Sequence, residues 1–363
     1  MHSAAIFGLL LVAVPVSAPG QLDRADKATQ AKCAQYRNTA LPQEAIAIPA
    51  PKQFPECKSY RLYPGIGTKV DFAAARTCAW SERLATQAGL EPRYSIASVF
   101  GGSAMLTQLY ANGEGVTKDL PLALRFACEA EGSPAEISGR IKDLEDRLNH
   151  DGAADTRFQF CDDITSGFMM GFCTAYTSER QDQDRTATTE EISRYWTAAQ
   201  KSAFHLLLAA KEKYAEAHAR GEVDLSGTAR AMNQIEEENG IRDNFLAALK
   251  SFEDGALPKA SPAEATETDV QLNREYRTVM DDAETHKSDY GAIRPEGVRI
   301  AERAWLEYRK AWLAFGKVRY PSVSESAWLK LLSEDRVLVL QGKCCGQDPG
   351  AEEDASPYPR PLP

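Results

Sequence analysis

The stretch 298–315, VRIAERAWLEYRKAWLAF, decides the fold. Ala301, Trp305, Tyr308, Trp312 and Phe315 step by 4, 3, 4 and 3 residues. That spacing places five apolar side chains on one face of an α-helix, along a seam that needs a second helix to cover it. The segment 191–219 offers one, through Phe204, Leu207, Leu208, Tyr214 and Ala217. Further helical patterns cover 228–252, 267–283 and 324–341, the second of these capped by Asp269 or a neighbouring Thr. With short links, these segments predict an antiparallel helical bundle over 158–343.

Upstream of the bundle, residues 145–157, DRLNHDGAADTRF, are polar and rich in turn formers, and they mark a domain boundary. Before them lies a weak internal repeat. Residues 110–130 read YANGEGVTKDLPLALRFACEA, and residues 63–79 read YPGIGTKVDFAAARTCA. Each has an aromatic, a Gly-x-Gly turn, a Thr-Lys pair and an Ala-rich helix ending near a Cys. Gly113 and Gly115 permit the turn, Asp119 caps the helix that follows, and Pro121 suits its first turn. The expected fold class is therefore all-α, a short α-hairpin array over 57–150 followed by the bundle.

The two ends read differently. Residues 5–16, AIFGLLLVAVPV, followed by Ser-Ala-Pro-Gly, have the form of a signal peptide cleaved after Gly20. Residues 21–56 are a partly helical, Pro-rich connector, and 344–363 are an acidic, Pro-rich tail expected to be disordered. The apolar core is too short to span a bilayer, which takes about 20 residues. The chain is thus expected to be exported, periplasmic or extracellular, with no membrane span once the signal is removed. Residues 1–20 hold no charged side chain, so the mature chain keeps the net charge of −10. That balance disfavours nucleic acid and suits a basic protein partner.

Export makes disulfides of the eight cysteines plausible chemistry. Local spacing selects Cys57–Cys78 and Cys161–Cys173, and leaves Cys33, Cys128, Cys344 and Cys345 unassigned. No CxxC is present and no His stands at zinc-finger distance, so no metal or cofactor is expected. Neither HExxH, GxSxG nor a phosphate loop occurs, which points away from an enzyme and names no catalytic residue. Acidic runs such as Glu236-Glu237-Glu238 and Asp281-Asp282 read as solvated helix faces. Around Cys161, a cap at Thr165 or Ser166 would put Phe168, Met169 and Phe172 on one buried face.

Two family resemblances go further. Leu106, Leu109, Tyr110, Asn112, Gly113, Gly115, Val116, Lys118, Asp119 and Ala123 resemble a Sel-like repeat, a relative of the tetratricopeptide repeat. That likeness implies α-hairpins and a protein-binding scaffold. In the bundle, Leu272, Asn273 and Tyr276, then Ala301, Trp305, Tyr308 and Arg309, then Leu332, Arg336 and Leu340 resemble the N-terminal domain family of LprI-type lysozyme inhibitors. Glu302 stands where that family usually has Gln, and residues 190–255 read as an inserted or duplicated helical pair. This second likeness implies an envelope protein that inhibits lysozyme or another basic, wall-acting enzyme through an acidic surface. The matched residues themselves read mainly as core and salt bridges.

Overall fold

The computed structural model describes residues 21–49, 51–90, 95–149, 156–289 and 291–342. The expected signal peptide, His150, Cys344, Cys345 and the acidic tail lie outside the described residues. Those described are helical, with no strand among them. In chain order the helices are α1 (Lys27–Tyr36), α2 (Gln43–Ile46), α3 (Ser59–Leu62), α4 (Phe72–Gln87), α5 (Ile96–Phe100), α6 (Gly102–Asn112) and α7 (Leu120–Glu129). They continue with α8 (Pro134–Asn149), α9 (Gly167–Ser193), α10 (Ala198–Gly221), α11 (Arg230–Glu253), α12 (Pro262–His286), α13 (Pro295–Arg319) and α14 (Glu325–Leu340). They cluster into two units. One takes the described residues through Ser59 together with Phe72–Asp163, and the other Tyr60–Asp71 with those from Ile164 onward.

In the first unit α6 packs against both α4 and α7. Trp80, Tyr110 and Phe126 form its aromatic centre, Trp80 and Phe126 edge to face at 5.1 Å. Fully buried Ala75, Ala79, Ala123 and Ala127 let the helix backbones come close around them. The α6–α7 hairpin turns on Gly113, the left-handed cap of α6, and on Gly115, with φ of +65°. A Cβ on Gly115 would stand 2.6 Å from Phe72 Cβ, so close approach and backbone angle both require glycine there. Asp119 accepts from Leu122 N at 2.9 Å and caps α7. At the degenerate copy, Gly65 and Gly67 also take positive φ, but only the one-turn α3 precedes them, so the hairpin's first helix is missing.

Cys33 is bonded to Cys128, tying α1 to α7, and Cys57 to Cys78. Cys161 and Cys173 are also disulfide-bonded. The separation of 95 residues between Cys33 and Cys128 restricts the unfolded chain more than the 21 of the second bridge.

The second unit is the bundle. α13 packs along α10, α9 along α11, and α12 along α14. All five seam residues of α13 are buried. Trp305, Tyr308, Trp312 and Phe315 meet Phe204, Leu207, Phe245, Leu249, Phe252 and Trp328 in one apolar core. Trp312 stacks on Trp328 with ring centres 5.7 Å apart. Where α10 ends and α13 begins the backbones touch: a Cβ on Gly221 would lie 2.5 Å from Gly297 O, and one on Gly297 2.6 Å from Gly221 O.

Several sequence expectations need correction. α12 starts at Pro262 under a Ser261–Glu264 capping box, so Asp269 lies inside the helix instead of capping it. Ser166 does cap α9, and Met169 is buried, but Phe168 is half exposed and lies against Phe172 with the rings tilted. Residues 191–193 belong to α9, and α10 begins after a break, capped by Thr197 with Gln200.

Candidate functional site

Two polar constellations stand out, one in each unit. In the first unit a cavity of about 620 Å³ opens beside the α6–α7 turn. The connector forms one wall, with Ala40, Leu41, Pro42 and Glu44. The turn and α7 form the other, with Val116, Thr117, Lys118, Asp119 and Leu122, and Arg76 and Tyr110 complete the lining. The turn residues of the repeat signature therefore line one side of an open cavity, and the Pro-rich connector lines the other. That connector carries no motif of its own, and for this reason its share of the cavity is illegible in the sequence.

The charges in this cavity balance, Arg76 and Lys118 against Glu44 and Asp119. Arg76 is 3.5 Å from Glu44 and donates to Gly115 O at 2.7 Å. Asp119 is engaged as the α7 cap. The Tyr110 hydroxyl is different. Tyr110 is buried, its hydroxyl has no hydrogen-bond partner, and the Trp80 indole beside it lacks hydrogen-bond geometry. Burial, with Glu44 nearby, pushes the hydroxyl pKa up to about 12, so it is a neutral donor at any physiological pH. A buried hydroxyl left without a partner costs about 1–3 kcal/mol, which a ligand acceptor would recover.

In the bundle, α10 carries Tyr214, His218 and the residue after its last turn, Glu222, at successive i, i+4 positions facing inward. Arg336 of α14 uses all five of its N–H groups. It donates to both Glu222 carboxylate oxygens at 2.6 and 2.8 Å, to Glu302 Oε2 of α13 at 3.0 and 3.1 Å, and to the Tyr214 hydroxyl at 3.2 Å. His218 lies between two carboxylates, with Nδ1 2.9 Å from Glu222 Oε2 and Nε2 2.9 Å from Glu237 Oε2 of α11. Burial alone would raise the Glu222 pKa; Arg336 and His218 overcome it and hold it at about 2. At Glu302 burial prevails over Arg336 and the carboxyl is shifted up. Burial opposes charge on His218, but its two carboxylate partners prevail and raise its pKa. The expectation that Glu237 is solvated is overturned: it is 4% exposed and pairs with His218.

The residues of the lysozyme-inhibitor resemblance are placed as follows. Leu272, Ala301, Trp305, Tyr308, Leu332 and Arg336 are buried; Tyr276, Arg309 and Leu340 are half-buried; Asn273 is exposed and donates to Asp269. Arg309 stacks over Trp305 at 4.7 Å and faces Asp269 at 3.5 Å. The bundle thus gathers these residues inside, leaving only Asn273 fully on the surface. Among the described residues no group of His, Cys, Asp and Glu is arranged to hold a metal ion, and no helix is long and apolar enough to cross a membrane. His205 and His286 are exposed and far in sequence from the cavity residues.

Compared with known proteins, the chain matches no family model, no curated protein and no solved structure.

Proposed function

We propose that this chain is an exported binding protein whose α-hairpin unit holds an extended segment of a protein partner in the 620 Å³ cavity. The observation that carries this reading is that Tyr110, whose buried hydroxyl has no hydrogen-bond partner, is one of the residues lining that cavity. Leu41, Pro42, Val116 and Leu122 supply apolar walls for one side chain. The balanced charges disfavour a strongly ionic ligand. They suit a peptide backbone, whose carbonyl accepts from Tyr110 and whose N–H donates to Glu44. A volume of this size falls in the range of small-ligand and side-chain sites. Disulfides form and persist in oxidising compartments, and this agrees with export.

Lysozyme inhibition has less support. The resemblance that suggests it rests on residues that pack the bundle interior, and so it speaks for a shared way of folding. Its remaining support is the net charge of −10. The two readings differ in salt response. Attraction between surface charges is screened over about 8–10 Å at physiological salt, whereas a buried peptide contact is not.

A peptide array tiled from exported proteins, probed with the mature chain at low and high salt, tests the proposal. Neutral segments centred on an apolar residue should bind, with little change between the two salt conditions. Tyr110→Phe should weaken them about fivefold, the ~1 kcal/mol of one hydrogen bond. Binding confined to basic peptides, lost in salt and indifferent to Tyr110→Phe, would refute it.

A further inference from the structure

The placement of His218 goes beyond this binding role. Both of its ring nitrogens face carboxylate oxygens at 2.9 Å, and carboxylates only accept. With both carboxyls ionised, both nitrogens carry hydrogen and the buried ring is an imidazolium. We propose that His218 is a proton-operated latch, which holds the first half of α11 against α10 while protonated and releases it when the proton leaves.

The surroundings decide which contact gives way. On α10 itself the ring meets Glu222 and, one turn back, Tyr214. α14 brings Arg336, which clamps Glu222 from the far side, and α13 brings Glu302, held by the same guanidinium. α12 contributes Tyr276, half-buried and within the field of Glu302, Glu222 and Arg336. α11 brings Glu237, with exposed Glu236 beside it. The cluster holds three carboxylates against two cations, and loss of the His218 proton leaves three against one. Glu222 cannot move, because Arg336 grips both of its oxygens. Glu237 has His218 as its one hydrogen-bond partner among the described residues. Glu237 is the group that swings away.

The helix that carries Glu237 is built to yield there. The N-cap of α11, Ala229, makes no side-chain cap bond. From Arg230 to Gly240, α11 places no residue in the apolar core, which it enters only at Ile241, Phe245, Leu249 and Phe252. The other polar ties of this half run to α9, where Asn239 accepts from Ser178 and Arg185. Among the described residues, the next polar contact from α11 to α10 after Glu237 is Arg242, which donates to Glu212.

The sign follows from linkage. A His whose pKa is higher in the folded state stabilises at pH below its unfolded value, and that contribution fades as pH rises through the folded pKa. The test is hydrogen exchange of the full mature chain at pH 6 and pH 9, corrected for intrinsic rates. Protection over 230–240 should fall severalfold at the higher pH. Glu237→Gln lets a neutral imidazole accept from the amide while it donates to Glu222. This variant should stay protected at pH 9, with a ratio within about threefold of unity. His218→Gln should be weakly protected at both values. Nitrogen-15 NMR of the His218 ring reads the same device without relying on any variant: both nitrogens should be protonated at pH 7. Equal wild-type protection at the two pH values, the same pH dependence in Glu237→Gln as in wild type, or a ring nitrogen without its proton at pH 7 would overturn the proposal.

Discussion

Replacing Arg336 by Leu is expected to cost about 3–5 kcal/mol at neutral pH, the range for removing one partner of a buried ion pair. Leu fills part of the volume but leaves Glu302 without its cation and Glu222 with His218 alone, together with a Tyr214 hydroxyl that has lost its donor. The pH dependence should separate this from simple loss of packing. In the wild type Arg336 helps to hold Glu222 at about 2, so its contribution is present above the unfolded carboxyl pKa and is lost as pH falls toward 2. In the variant, burial is unopposed by Arg336, the carboxyl pKa values rise, and stability returns as pH falls from 8 to 5. Denaturant unfolding at several pH values measures both effects. A deficit below about 1 kcal/mol, or one that does not shrink on acidification, would mean the cluster contributes no more than a surface pair.

Trp305→Ala should be comparably damaging, at about 3–5 kcal/mol for truncating a large buried aromatic. Trp305 is 2% exposed at the middle of the α13 seam, and the Arg309 guanidinium covers its ring. The substitution should leave binding at the cavity of the first unit unchanged once the protein is folded, because the residue belongs to the bundle core. Equilibrium unfolding in guanidinium, with the array peptides as the binding readout, checks both. A loss under 1 kcal/mol would contradict the placement of this ring in the core.

The α13 seam was legible because Ala301 and four large aromatic residues repeat at helical spacing without interruption. Asp119 was legible too, since its cap, Pro121 and the Gly-x-Gly turn all point to the same local structure. The polar cluster was not. Along α10 the buried face runs Phe204, Leu207, Lys211, Tyr214 and His218, so two positions of an apolar stripe hold a Lys and a His. A pattern search that looks for apolar residues passes over them. Glu237 was hidden among three consecutive Glu residues, only one of which points inward. Which one does so depends on where α11 sits against α10, and that is a tertiary fact. The start of α12 was missed for a different reason. Ser261 and Glu264 form a recognisable capping box, but the polar first turns behind them, with exposed Glu267, Asp269 and Val270, carry little apolar periodicity. The cavity in the first unit required the connector to fold back beside the repeat turn, and no local rule fixes that path.

The central claim is that partner binding belongs to the α-hairpin unit. Hydrogen exchange of the full mature chain, alone and saturated with the tightest array peptide, addresses it most directly. Added protection at 40–44 and 116–122 is the expected result, and at a peptide concentration between the two dissociation constants it should be clearly weaker in Tyr110→Phe than in the wild type. Protection confined to the outer face of α13 around 299–310, with 40–44 and 116–122 unchanged, would contradict it.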